Sequence, residues 1–142
     1  MTMRLYLFRH GEVVGDDLFF GQFDHPLSER GERQSEAIAE YVGELDLAAI
    51  YTSDLGRAKE AGRRAGKRIG LPFSADSRLR ELHLGWAEGL TREAAYEKDP
   101  ELRKVRYDDL VERPLTEGGE SIAELARRVR QVRAELLGRH TG

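Results

Sequence analysis

The 142-residue chain has no cysteine and no asparagine, and only 4 prolines and 8% aromatics. Without cysteine there is no disulfide framework, no thiol nucleophile and no cysteine-ligated zinc or iron–sulfur site. No apolar run approaches the length of a membrane span. The opening Met1-Thr2-Met3-Arg4, followed by Leu5-Tyr6-Leu7-Phe8, is too short and too soon polar for a signal peptide. A soluble, cytoplasmic chain that does not engage membranes is the expectation. No sign of charge prevails either, since 23 basic and 26 acidic residues leave a net charge of −3. A dedicated nucleic-acid binder clusters positive charge, so nucleic acid is not an expected partner.

What is present suits one folded domain over residues 1–142, because 39% of residues are hydrophobic and can build a single core. Arginine supplies 19 of the 23 basic residues. Its planar fork suits phosphate and carboxylate, although a preference for arginine codons produces the same bias. Short apolar runs alternate with helical patterns. Leu5-Tyr6-Leu7-Phe8 reads as a buried strand, and Ser28 as the cap of a helix running to about Gly43 with Ala37, Ile38, Tyr41, Val42 and Leu45 on one face. Ala48-Ala49-Ile50-Tyr51 reads as a second strand. Thr52-Ser53-Asp54 then offers caps for a basic helix that Gly70 closes.

Phe73 to Leu82 reads as a weaker strand with an irregular tail. Thr91 caps a short helix and Pro100 opens another. Ser121-Ile122-Ala123-Glu124 fits a capping box, and Ile122, Leu125, Val129, Val132 and Leu136 form the stripe of a last helix. Strands separated by helices predict an α/β fold with a mainly parallel sheet flanked by helices. Ligands bind beyond the carboxyl ends of such strands, which is where Arg9-His10-Gly11 falls.

A histidine between an arginine and a glycine can perform phosphoryl chemistry. The imidazole attacks phosphorus, the guanidinium holds two oxygens, and glycine lets phosphate approach the backbone. A strand-end histidine that only packs is the plainer reading of the tripeptide alone. Other signals are weaker. His10-Gly11-Glu12 resembles the start of a zinc deaminase motif whose cysteines do not exist here. His25, His83 and His140 have no spacing that suggests a shared metal. Arg63, Arg64, Lys67 and Arg68 read as the solvated face of a helix.

Further segments accompany the triplet in order. They are Phe20-Gly21-Gln22-Phe23-Asp24-His25-Pro26-Leu27-Ser28-Glu29-Arg30-Gly31, Tyr51-Thr52-Ser53-Asp54-Leu55-Gly56-Arg57-Ala58, Leu79-Arg80-Glu81-Leu82-His83-Leu84-Gly85-Trp86-Ala87-Glu88-Gly89 and Glu117-Gly118-Gly119-Glu120-Ser121. From Leu5 to Leu137 this set resembles the histidine phosphatase superfamily, in the branch that includes phosphoglycerate mutases and α-ribazole phosphatases.

The resemblance implies a phosphoglycerate mutase-like fold and a metal-independent phosphomonoester hydrolase with no cofactor, acting on a small phosphorylated metabolite. It makes His10 the nucleophile that becomes phosphohistidine, Arg9 and Arg57 the phosphate holders, and Glu81 the general acid and base. Gly21 and Gln22 match the loop bordering the substrate. Taken alone, Arg57 reads as a first-turn helix charge and Glu81 as a solvated loop carboxylate. A nucleophilic imidazole must attack neutral, so a backbone carbonyl on its other nitrogen is expected to fix the tautomer.

The family pattern also has a second histidine on a late strand, and Gly138-Arg139-His140-Thr141-Gly142 stands where that strand is expected to begin. His140 does not match it. The chain therefore reads as C-terminally incomplete, with a fragment, a naturally short form and completion by a second copy as the three accounts. An open side beside Leu5 and Leu7 would favour a homodimer. Alternatives to the hydrolase are a phosphoester-binding module without turnover, mutase-type phosphotransfer and a structural interaction protein. The asparagine that phosphoglycerate mutases usually carry after the triplet is missing from Val13 to Asp17, which favours hydrolysis over mutase activity.

Overall fold

Ser28 starts the first helix through its hydroxyl, which accepts the Gly31 N–H at 3.0 Å. In the computed structural model, which describes residues 3–15 and 17–140, this helix, α1, spans Glu29–Val42 and ends at Gly43. Met1, Thr2, Asp16, Thr141 and Gly142 lie outside the described residues. So do the first residues of the expected leader-free start, part of the Val13–Asp17 stretch and the end of the Gly138–Gly142 segment. The buried stripe of α1 is Gly31, Ser35, Ala39 and Val42. Ala37 and Tyr41, predicted on that face, are exposed. The small residues, not the larger apolar ones, allow close helix packing.

Contacts gather the chain into two compact units, one of Met1–Val14, Asp24–Arg80 and Gln131–Gly142, the other of Gly15–Phe23 and Glu81–Arg130. In the first unit, β1 (Ile50–Thr52) pairs in parallel with β2 (Phe73–Ala75), with Ile50 opposite Phe73 and Thr52 opposite Ala75. The crossover between them is α2 (Gly56–Ile69), closed by Gly70 in the left-handed conformation at φ +72°. That parallel β1–α2–β2 arrangement is the predicted α/β pattern. Ala39, Val42 and Ala65 form the core, covered by Ile38, Leu47, Ile50 and Ile69. Gly62 lets the Thr52 methyl come against α2, where a Cβ would overlap it.

Leu5-Tyr6-Leu7-Phe8 is not a buried strand. Among the described residues no neighbouring strand pairs with it, so its backbone joins no ladder, and Leu5 (57%) and Leu7 (84%) are exposed. The observed sheet accordingly has two strands. The cap of α2 also differs from expectation, because Leu55 precedes it with no side-chain cap and Asp24 supplies the carboxylate instead. Asp54, a predicted cap, pairs with Arg80 at 2.5–2.6 Å.

In the second unit, residues 17–19 run along 89–92. Leu18 bridges Thr91, Phe19 N–H donates to the Leu90 carbonyl at 3.0 Å, and Gly89 N–H donates to the Phe19 carbonyl at 2.9 Å. Thr91 caps α3 (Arg92–Lys98) by accepting Ala94 N–H. Pro100 opens a short 3-10 helix over Pro100–Lys104. The long helix α4 (Ile122–Arg139), which belongs to this unit up to Arg130 and to the first from Gln131, begins with the predicted capping box, in which Ser121 N–H donates to Glu124 and Glu124 N–H to the Ser121 hydroxyl. Its expected stripe is only partly buried. Val132 is fully covered, whereas Val129 is 40% exposed. Among the described residues no helix is long and apolar enough to cross a membrane.

Candidate active site

In the first unit, His10 stands between the unpaired residues 3–9 and residues 11–14. Those residues are pinned to 26–31. Val14 N–H donates to the Pro26 carbonyl and Ser28 N–H to the Glu12 carbonyl, each at 2.9 Å. A Cβ on Gly11 would overlap the Gly31 carbonyl, and one on Gly31 would overlap the Glu12 carbonyl, so the two glycines let backbone lie on backbone. The Glu12 side chain accepts the Ser28 hydroxyl at 2.7 Å, and its N–H donates to Gln34 at 2.8 Å.

The half-buried imidazole lies with Nδ1 2.7 Å from the Gly11 carbonyl. A carbonyl only accepts, so Nδ1 carries a hydrogen, and in the neutral ring Nε2 carries the lone pair. This is the carbonyl that the tautomer argument calls for. Arg9 is exposed beside it.

Arg57 is the second residue of α2 and 3% exposed. A guanidinium so removed from water is held at high cost unless anionic or carbonyl groups surround it. The α2 N-terminus beside it is capped from a distance. Gly56 N–H donates to Asp24 Oδ2 at 2.6 Å, and Arg57 N–H lies 3.5 Å from Oδ1. Asp24, His25, Pro26, Leu27, Glu32, Gly56, Arg57 and Glu60 line an open cavity of about 320 Å³. Hydrogen bonds from Arg63 and Arg64 hold the Glu60 carboxyl at about 2, against burial that pushes it up.

Gly21, Gln22 and Glu81 belong to the second unit. Gly21 is buried with φ +47°, and a Cβ there would overlap the Glu88 carboxylate. Glu88 Oε1 accepts Gln22 N–H and Leu84 N–H, both at 2.8 Å. The Gln22 amide donates to the Glu81 carbonyl at 3.2 Å, which brings two of the predicted residues together. The Glu81 side chain is exposed and, among the described residues, accepts a long contact from Leu82 N–H at 3.4 Å. Its carbonyl also accepts from Arg128 at 2.8 Å.

His83 Nδ1 accepts Gly85 N–H at 2.9 Å, which places that ring's hydrogen on Nε2. His140 Nε2 lies 2.9 Å from the Tyr51 hydroxyl, at the end of α4. Sequence reasoning missed Asp24, Glu88, Glu120 and Arg128 as supporting residues. The three carboxylates lie inside the quoted motifs, and two of them, Glu88 and Glu120, stand beside a glycine. Arg128 carries no local signal.

The chain matches the histidine phosphatase superfamily (branch 1) over residues 5–142. It is similar to the glucosyl-3-phosphoglycerate phosphatase of Mycobacterium tuberculosis, 39% identical over 137 residues, which are 94% of this chain and 60% of that protein. It is 36% identical over 130 residues to a probable phosphoglycerate mutase of Yersinia enterocolitica, covering 90% of this chain and 60% of that one. The native structure of the mycobacterial glucosyl-3-phosphoglycerate phosphatase superposes with a TM-score of 0.83 at 35% identity, over 92% of this chain and 62% of that chain. A further structure of that protein is a complex with inorganic phosphate. The chain spans about three-fifths of the length of the curated relatives it matches. Its α/β architecture is the phosphoglycerate mutase-like one, and it belongs to branch 1 of the histidine phosphatase superfamily.

Proposed function

We propose that the protein is a metal-independent phosphomonoester hydrolase that works through a phosphohistidine at His10. The observation that carries this reading is the 2.7 Å contact between His10 Nδ1 and the Gly11 carbonyl, which leaves the lone pair on Nε2. In the first step Nε2 attacks phosphorus and the bond from phosphorus to the ester oxygen breaks. The departing oxygen takes the proton of Glu81. Arg9 and Arg57 offset the charge on the phosphoryl oxygens, the main demand of such a transfer. In the second step the Glu81 carboxylate takes a proton from water, the oxygen attacks phosphorus, and the phosphorus–nitrogen bond breaks to restore His10. Gly21 and Gln22 border the substrate, a small phosphorylated metabolite. The name of the mycobacterial relative supports a phosphorylated sugar acid as the first to try.

The test uses full-length protein in chelator with aryl and alkyl phosphates. His10→Ala is expected to abolish hydrolysis and acid-labile phosphoenzyme on both. Glu81→Gln is expected to lower kcat/KM on alkyl phosphates by about 100-fold or more, and on aryl phosphates far less, because only alkoxides need the proton. Undiminished turnover in His10→Ala would sink the phosphohistidine mechanism. Equal slowing of both substrates by Glu81→Gln would remove the acid role.

A further inference from the structure

The exposed carboxylate of Glu81 has little to orient it beyond its own backbone. That backbone is held in the second unit by an ion pair that the mechanism above does not use. Arg128, in the second turn of α4, donates to the Glu81 carbonyl at 2.8 Å. The same guanidinium is gripped by Glu120, with Nε 3.0 Å from Oε2 and a closer bond to Oε1. Both side chains are largely covered, at 16% and 17% exposure.

Glu120 in turn holds the next residues of the strip. Its Oε1 accepts His83 N–H at 3.1 Å, and its N–H donates to the His83 carbonyl at 2.9 Å. The turn that presents it needs Gly118, at φ +81°, and Gly119, where a Cβ would stand 2.7 Å from the His83 carbonyl. The ion pair therefore binds two backbone groups, the Glu81 carbonyl and the His83 N–H, and the Glu120 main chain binds a third, the His83 carbonyl. An arginine is required for this, because a planar fork can serve both oxygens of a carboxylate and a carbonyl at once, whereas a lysine is a point charge.

We propose that Arg128, locked by Glu120, is a positioning residue that sets the orientation of Glu81 toward the leaving oxygen. The inference rests on the reading of Glu81 as the general acid. It explains why an acidic residue follows two glycines just before α4, and why Arg128 points back along the helix. Burial alone would raise the Glu120 carboxyl, but its bonds from Arg128 and His83 outweigh this and hold it below the ordinary carboxylate range.

The experiment measures kcat/KM for a series of phosphomonoesters with leaving groups from aryl to alkyl. In Arg128→Met the aryl-to-alkyl ratio is expected to rise by about tenfold to a hundredfold, the scale of a displaced catalytic group. Arg128→Lys restores part of that ratio, and Glu120→Gln shifts it the same way. In the Glu81→Gln background, Arg128→Met is expected to leave the ratio nearly where Glu81→Gln alone puts it, since one function cannot be lost twice. Circular dichroism and thermal melts of each variant report the fold, and Arg128→Lys or Glu120→Gln carries the test if Arg128→Met does not fold.

A merely structural role slows every ester equally, and that result would overturn the proposal while Glu81 kept its own leaving-group signature. The same holds if Arg128→Met shifts the ratio as strongly with Glu81 already replaced. If Glu81→Gln itself shows no leaving-group dependence, the acid assignment falls and the positioning role falls with it.

Discussion

Gly31 lies in the first turn of α1, where alanine is ordinarily the better helix former by about 1 kcal/mol. Here its missing side chain leaves room for the Glu12 carbonyl, and Gly11 leaves room for the Gly31 carbonyl in return. The atoms that a methyl group would strike are backbone, which cannot rotate away. Overpacking of this kind costs about 1–3 kcal/mol, so the clash outweighs the gain in helix propensity. Gly31→Ala is expected to lower the denaturant midpoint, and to lower the proposed phosphatase activity because Gly11 also carries the carbonyl that contacts His10. A midpoint above the parent's would show that the two segments part without cost. The sequence offers glycine at position 11 as room for a phosphate. It does not show that residue 31 needs the same space from the other side, because that contact joins residues far apart along the chain.

Helix ends were the most legible elements, and the reason is local. Ser28, Thr91 and the Ser121–Glu124 pair bond to amides within the next three residues, so the cap and its helix are read from one short stretch. The cap of α2 could not be read this way, because Asp24 lies 32 residues before Gly56. Leu5-Tyr6-Leu7-Phe8 has the composition of a strand, but a strand is defined by its neighbour, and none of the described residues supplies one. The site followed the same division. The roles proposed for His10, Arg57 and Glu81 rest on motifs in family order, whereas the hydrogen bonds of Glu88 and Arg128 join residues whose pairing no spacing displays. Asp24 permits a prediction at this scale. Asp24→Ala is expected to cost about 1 kcal/mol, the usual worth of an N-cap, and to weaken vanadate inhibition because the first turn of α2 carries Arg57. Asp24→Asn, which can still accept the amide, is expected to keep most of the stability. Equal stability of parent and Asp24→Ala in urea titrations would mean that water replaces the cap.

Across the molecule, 35% of residues are charged and the net charge is only −3, so opposite charges can be paired instead of accumulated. Arg64 binds Glu32, Glu36 and Glu60; Arg78 binds Asp76 and Glu135; Arg80 binds Asp54. Each isolated surface pair is worth only ~0–1 kcal/mol, so their common direction matters more than any one of them. That direction is the same throughout. Hydrogen bonds from arginine hold Asp54, Asp76 and Glu135 below their ordinary values, and Glu60 falls from 4.5 to about 2. A carboxyl lowered by folding binds fewer protons in the native state than in the unfolded one at acid pH. Its stabilisation is complete above the unfolded value and is lost as pH falls through the folded value. For Glu60 that window runs from 4.5 down to about 2. Urea midpoints measured at falling pH are therefore expected to decline steadily below 4.5, and Glu60→Gln is expected to start lower and decline less. Added salt should flatten the slope, since the more exposed pairs are screened. A midpoint that holds or rises across this window would mean that the arginine contacts persist in the unfolded chain, or that they do not bind more tightly to the ionised carboxylates than water does.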